Sequence, residues 1–252
     1  MKSFGFALVA GLSLLAVPAA STADAIPSYV TAAIADPARG ADTQADARRH
    51  PAELAAFAQI KPGDVVVDLI PGSGYFTRIF STIVGPKGHV YAIWPSEYAK
   101  VDGDEVPLTQ ALVKDPQYSN VTLITQPGAQ FSAPVKVDVV WTSQNYHDYS
   151  DKFMGPIDLK LLNDAVFKAL KPGGVFIVVD HVAEAGSGHR DTDTLHRIDE
   201  QSVKSEVSAA GFVLEAESDV LRNPADNHTL KVFDPSIRGH TDQFALRFRK
   251  PG

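Results

Sequence analysis

The chain has 252 residues, a length that suits one large domain with a substantial core. Its hydrophobic fraction of 44% and charged fraction of 21% are those of an ordinary globular protein, and a net charge of −7 argues against a nucleic-acid partner, which rewards a clustered basic surface. There is no cysteine, hence no disulfide and no lipid-attachment site.

The first residues read as a secretory signal peptide over 1–25. Lys2 precedes an apolar run from Phe4 to Val17, and Ala23-Asp24-Ala25 supplies small residues for cleavage after Ala25 or Ala23. The run is shorter than the ~20 apolar residues that span a bilayer, which disfavours an uncleaved anchor. The expectation is an exported, periplasmic protein with no membrane association after cleavage. Residues 26–60 then read as an N-terminal helical segment, with short helices over Tyr29–Ala35 and Pro51–Gln59. Pro51 suits a helix start, where its missing N–H costs nothing. Between them Asp36–His50 is expected to pack over the opening of the main fold, where Arg48, Arg49 and His50 are within reach of a ligand but read rather as solvated surface.

From residue 61 to 252 one pattern recurs. Lys61-Pro62-Gly63, Gly85-Pro86-Lys87-Gly88 and Lys171-Pro172-Gly173-Gly174 each precede a β-branched or aromatic run. Val121–Thr125 and Val137–Thr142 are β-rich as well. Helical patterns separate these runs, such as Phe76, Ile79, Phe80 and Ile83, or Leu159, Leu162, Val166 and Leu170. Alternating strands and helices predict a Rossmann-like doubly wound α/β sheet. Leu195–Ala210 then reads as a helix, Gly211–Leu221 as a strand and Gln243–Lys250 as a last strand with Arg247 and Arg249 on a solvated face. The polar stretch 222–241 is long for a connection and reads as a lid-like loop or hairpin extension.

The central stretch is Val65–Arg78, VVVDLIPGSGYFTR: a buried strand, an acid, a glycine turn and an amphipathic helix. Glycine lets backbone approach a ligand, and the amides of the helix start face the crevice. This stretch resembles the first motif of the class I S-adenosylmethionine (SAM)-dependent methyltransferases, D/E-x-G-x-G-x-G. It matches at Asp68, Gly72 and Gly74, while Ile70 stands where the first glycine belongs. The chain is especially similar to a group of predicted bacterial methyltransferases with a signal peptide. The shared segments are Arg49-His50-Pro51-Ala52-Glu53 and Leu195-His196-Arg197-Ile198-Asp199. The resemblance implies seven strands in the order 3-2-1-4-5-7-6 with an antiparallel last strand, SAM as cofactor and a small-molecule acceptor.

Ligands of open α/β sheets bind beyond the carboxyl ends of the strands. The resemblance therefore assigns cofactor binding to Asp68, Gly72, Gly74 and Tyr75, and to residues after the second, third and fourth strands. The family's acid after the second strand is replaced by Trp94, which either stacks on adenine or belongs to the core; Glu97 is a substitute. After the third strand Ala129 stands where an Asp is common, and Gln130 is the substitute. Asn145 belongs to the fourth strand end, as do His147 and Asp148, the candidate catalytic pair: His147 as a base near neutrality, Asp148 to orient it or to hold a substrate amine. The rival for this segment is a hydrogen-bonded loop. Asp180, His181, His189, Asp191 and Asp193 have no spacing that fixes a tetrahedral set, so no metal is expected. The leading expectation is a SAM-dependent methyltransferase. Its rivals are an exported small-ligand or nucleoside binding protein that keeps the fold without the chemistry, and a different enzyme using His147 and Asp148 without SAM. The oligomeric state is not legible.

Overall fold

The computed structural model describes residues 25–155 and 157–252. The predicted leader, apart from Ala25, lies outside the described residues. The first helices are α1 (Ser28–Ile34), α2 (Asp46–Arg49) and α3 (Pro51–Phe57), with Pro51 at the first position of α3. Strand β1 (Val65–Leu69) leads into α4 (Tyr75–Val84), followed by β2 (His89–Pro95), α5 (Ser96–Val101), α6 (Glu105–Leu112), β3 (Val121–Gln126) and β4 (Val137–Ser143). The chain ends through α7 (Leu159–Ala169), β5 (Leu170–His181), α8 (Thr192–Leu195), α9 (Glu200–Ala209), β6 (Val213–Ser218) and β7 (Gln243–Arg249).

The strands form one seven-stranded sheet in the order β3-β2-β1-β4-β5-β7-β6. Pairing is parallel from β3 through β5, and β7 is antiparallel to both β5 and β6. The order expected from the motif resemblance is the order found. Successive side chains of each strand face opposite sides. Val66, Val90, Val139 and Ile177 join one apolar cluster with α1, α3 and α4, and Val67, Ile93, Val140 and Val178 join the other with α7 and α9. A strand covered on both faces has no use for a polar alternate, which is why VVV and VFIVV read as continuous runs. Phe76 and Phe80 of α4 pack with Trp141 of β4 at ring distances of 4.7 and 5.3 Å. Each such ring, buried, contributes roughly 1.5–3 kcal/mol.

Two expectations about the last third are corrected. The helix read over Leu195–Ala210 is broken: His196 adopts a left-handed φ of 53°, Ile198 bridges to Val182, and α9 begins only after Asp199, whose carboxylate accepts from the Gln201 amide. Of the β7 arginines, Arg247 is not on a solvated face, whereas Arg249 stays partly exposed. Arg247 is buried under Phe57, donating to Glu215 and to the Phe57 carbonyl, and Arg249 shares Glu215.

The strand order reverses between β1 and β4, since β1 connects outward to β2 while β3 returns to β4 on the other side. That switch point opens a crevice at the carboxyl ends of the strands. No helix among the described residues is long and apolar enough to cross a membrane.

Candidate functional site

A cavity of about 610 Å³ occupies this crevice. One side is the turn after β1: Asp68, Ile70, Pro71, Gly72, Ser73, Tyr75 and Phe76 all line it. Gly72 and Gly74 have φ of 59° and 87°, the left-handed geometry that glycine adopts without strain. Ile70 has φ of 57°, so the position where the related motif carries glycine keeps the glycine-like backbone with a β-branched residue on it. Gly74 does not line the cavity. A Cβ there would stand 2.5 Å from Leu112 Cδ1, so its glycine serves packing against α6. Asp68 is buried, with the Thr77 hydroxyl donating to it at 2.5 Å. Burial pushes its carboxyl up to about 7, against the Thr77 hydrogen bond and the nearby Arg49 charge.

The far side of the turn is where the strand-end residues read from sequence and the cavity part company. Trp94 is 0% exposed and lines no part of the cavity. Its Nε1 donates to Thr109 Oγ1 at 3.1 Å, and that hydroxyl lies 3.1 Å from the Gly72 carbonyl, so Trp94 props the glycine turn from behind. Of the two roles weighed for it, the core one describes its place. Glu97 turns away as well, accepting from the Gly128 amide at 2.9 Å, and Gln130 is exposed. The acids that face the cavity come from the next segment: Asp102, Asp104 and Glu105, at the start of α6. A Cβ added to Gly72 would stand 3.2 Å from Glu105 Oε2, so that carboxylate lies directly over the turn. Burial, with Asp102 close by, raises the Glu105 carboxyl above its ordinary value.

The N-terminal segment closes the same cavity. Arg39 and Asp46 pair at 2.5 Å, and Asp46 also accepts from the Tyr75 hydroxyl at 2.6 Å, which ties the segment to the first turn of α4. Arg49, expected on solvated surface, instead lines the cavity with its guanidinium 4.4 Å from the Tyr75 ring centre. Asp68 and Glu105 are the carboxylates within its electrostatic reach. The Arg-His-Pro-Ala-Glu segment thus brings a cation to the side of the cavity where Asp68 and Glu105 lie.

The opposite wall follows β4. Ser143, Gln144, Asn145, His147 and Asp148 all line the cavity, with His181 after β5 and His196 after α8. His147 is buried; its Nδ1 is 2.8 Å from Asp180 Oδ1, and its amide donates to Asp180 Oδ2 at 2.9 Å. Its Nε2 is 3.2 Å from Asp148 Oδ1 and 3.3 Å from His196 Nδ1. Burial opposes charge on this ring, yet Asp180 and Asp148 hold it well above the ordinary histidine value. With Asp180 at Nδ1 and with Asp148 and His196 at Nε2, both ring nitrogens are engaged within the protein. His181 is pushed the other way, down to about 3, by burial without enough compensating charge.

Residues 222–241 form the rim. Fully buried Arg197 pairs with Asp226 at 2.9 Å and donates to the Leu230 and Val182 carbonyls. Asp226 in turn accepts from the amides of Asp242 and His228. The loop so anchored presents Val232, Phe233 and Arg238 to the cavity, with Phe233 4.9 Å from the His196 ring. The Leu-His-Arg-Ile-Asp segment now has a division of labour: His196 faces the cavity, Arg197 anchors its rim, and Asp199 caps α9.

No family model matches the chain. Among characterised relatives it is 26% identical over 143 residues to the protein-L-isoaspartate O-methyltransferase of Ignicoccus hospitalis, covering 55% of this chain and 57% of that protein. It is 28% identical over 135 residues to the ubiquinone/menaquinone biosynthesis C-methyltransferase of Hydrogenovibrio crunogenus, covering 53% of this chain and 47% of that one. The chain therefore spans about half the length of each relative. Among solved structures, a SAM-dependent methyltransferase from Aquifex aeolicus matches with a TM-score of 0.54 at 17% identity, over 82% of this chain and 97% of that one. Strand order and glycine turn are those of the class I SAM-dependent methyltransferase fold, and both sequence relatives are themselves methyltransferases.

Proposed function

We propose that this protein is a SAM-dependent methyltransferase acting on a small-molecule acceptor, exported to the periplasm. The observation that carries the reading is the Glu105 carboxylate over the Gly72 turn, inside the switch-point cavity. It supplies the acid that the end of β2 lacks, so the residues present fit a cofactor with a hydroxylated sugar and an amino-acid tail. Asp68 and Glu105 would accept hydrogen bonds from its hydroxyl or ammonium groups, and Arg49 would meet its carboxylate. The cofactor, when bound, supplies an activated methyl group. What the chain contributes is position and exclusion of water: Trp94 and Thr109 hold the turn, Phe76 and Trp141 form an apolar floor, and the 222–241 rim narrows the opening. The two relatives act, by their names, on a protein residue and at carbon in quinone biosynthesis, so they leave the acceptor open. A small molecule suits a cavity of this size.

Calorimetry with SAM tests the reading on the protein lacking residues 1–25. Saturable binding is expected in the wild type, and Glu105→Ala should weaken it at least tenfold while leaving the fold intact by circular dichroism. No heat at millimolar SAM would overturn it. A second reading, a ligand-binding protein on the same fold, draws on one observation: both His147 ring nitrogens are already engaged, Nδ1 by Asp180 and Nε2 by Asp148 and His196. Tight binding of SAM without turnover over a panel of phenols, amines and carboxylates would favour that reading. Export rests on the Lys2–Ala25 pattern alone, and intact-mass measurement of a secreted sample should give an N-terminus at Ile26 or Asp24.

A further inference from the structure

We propose that His147, Asp148, Asp151 and His196 form a binding site for a divalent first-row transition metal ion, with zinc the ion that the donor set and spacing suit. Each of the four residues offers one ligand atom, and these atoms all lie within 4.8 Å of one another. Three of the distances are close to what an ion would impose. His147 Nε2 is 3.3 Å from His196 Nδ1 and 3.2 Å from Asp148 Oδ1, and His196 Nδ1 is 3.7 Å from that oxygen. Ligand atoms about 2.0–2.1 Å from a tetrahedral zinc stand about 3.3 Å from each other.

A second observation is independent of that spacing. Asp151 is 1% exposed, yet its Oδ1 has no hydrogen-bond partner among the described residues. Leaving a buried carboxylate oxygen unpaired costs free energy that a cation at the cluster would remove. The His147–Asp148 pair alone does not account for a second imidazole and a second buried carboxylate converging on it. An ion does.

The surroundings are those of a metal ligand. Asp180 accepts from His147 Nδ1, which orients the ring and leaves Nε2 for the ion, the carboxylate–histidine arrangement common around metals. Two imidazoles with carboxylates suit zinc and its neighbours better than magnesium or calcium, which prefer all-oxygen sets. The ion would replace the proton on Nε2, since ligands bind deprotonated. His147, Asp148 and His196 line the cavity and Asp151 does not, so an open coordination position would face the cavity. That is the layout of a catalytic rather than a structural site.

The test is titration of chelator-treated protein with zinc and with cobalt, the latter read by its visible absorption. One equivalent should bind, with the intense band of a low-coordinate nitrogen–oxygen site, and should raise the thermal midpoint. His196→Ala and Asp151→Asn should each weaken zinc at least tenfold and remove that band. His189→Ala and His228→Ala, at other imidazoles, should leave both unchanged. Circular dichroism confirms folding; if Asp151→Asn does not fold, His196→Ala, at a partly exposed residue, decides alone. No binding at submillimolar zinc, or unchanged affinity in His196→Ala, overturns the proposal. Neither readout uses SAM or turnover, so failure here is separate from failure of the methyltransferase reading.

Discussion

The two walls of the cavity are built in opposite ways. The β1–α4 wall is one continuous stretch, Asp68 to Phe76, in which local backbone geometry does most of the positioning. The facing wall is assembled from β4, β5, the α8–α9 junction and the 222–241 loop, and no two neighbouring residues explain it. A contiguous wall is sensitive to what its own backbone tolerates. A dispersed wall is sensitive to the long-range pairs that hold its pieces together.

The largest effect should therefore come from the dispersed side. Arg197→Met leaves Asp226 charged and buried without its partner, a change that typically costs 3–5 kcal/mol, roughly the whole margin of a marginal domain. Urea unfolding should show that loss, and limited proteolysis should cut within 222–241. A loss below about 1 kcal/mol would mean that the rim holds without the pair.

Asp68→Asn probes the contiguous wall through pH. The folded-state carboxyl, raised to about 7 from an ordinary 3.8, binds a proton that the unfolded chain releases earlier. Its stabilising contribution is therefore full below the ordinary value and is lost as pH rises toward 7. Between about pH 5 and pH 8 the Asn variant should gain on wild type by on the order of 2 kcal/mol, at about 1.4 kcal/mol per pKa unit. SAM affinity should fall in the same variant. A stability gap that does not change with pH would show that Asp68 ionises normally.

Gly74→Ala should cost about 1–2 kcal/mol, since its Cβ meets Leu112 and its φ is 87°. SAM affinity should change little once the protein is folded, because Gly74 does not face the cavity. The smallest effect should come from Ile70→Gly. Relief of the left-handed strain, about 1–2 kcal/mol, offsets most of the burial lost with the side chain, about 1.5–3 kcal/mol. Denaturation midpoints should then nearly coincide. If Ile70→Gly costs more than Gly74→Ala, packing outweighs backbone geometry even in the contiguous wall.

The sequence by itself determined the sheet and the turn. Valine runs, turn residues before strands and the glycines after Asp68 are local signals, because strand burial and left-handed φ are properties of neighbouring residues. It also made Trp94 visible as an anomaly, although its role behind Gly72 needed Thr109, fifteen residues away. What only the tertiary structure decided is everything that crosses loops. Glu105 comes over the glycine turn from the start of a helix, Arg49 turns inward onto Tyr75, and His196 reaches His147 from 49 residues away. His147, Asp148 and Asp151 are close in sequence, but such a cluster is ordinary on a solvated surface. The ligand atom of His196 comes into place only where α8 stops, and Asp151 Oδ1 is buried without a partner only in the folded packing. Spacing along the chain encodes faces of helices and strands; it does not encode which loops meet, and that meeting is set by the packed sheet beneath them.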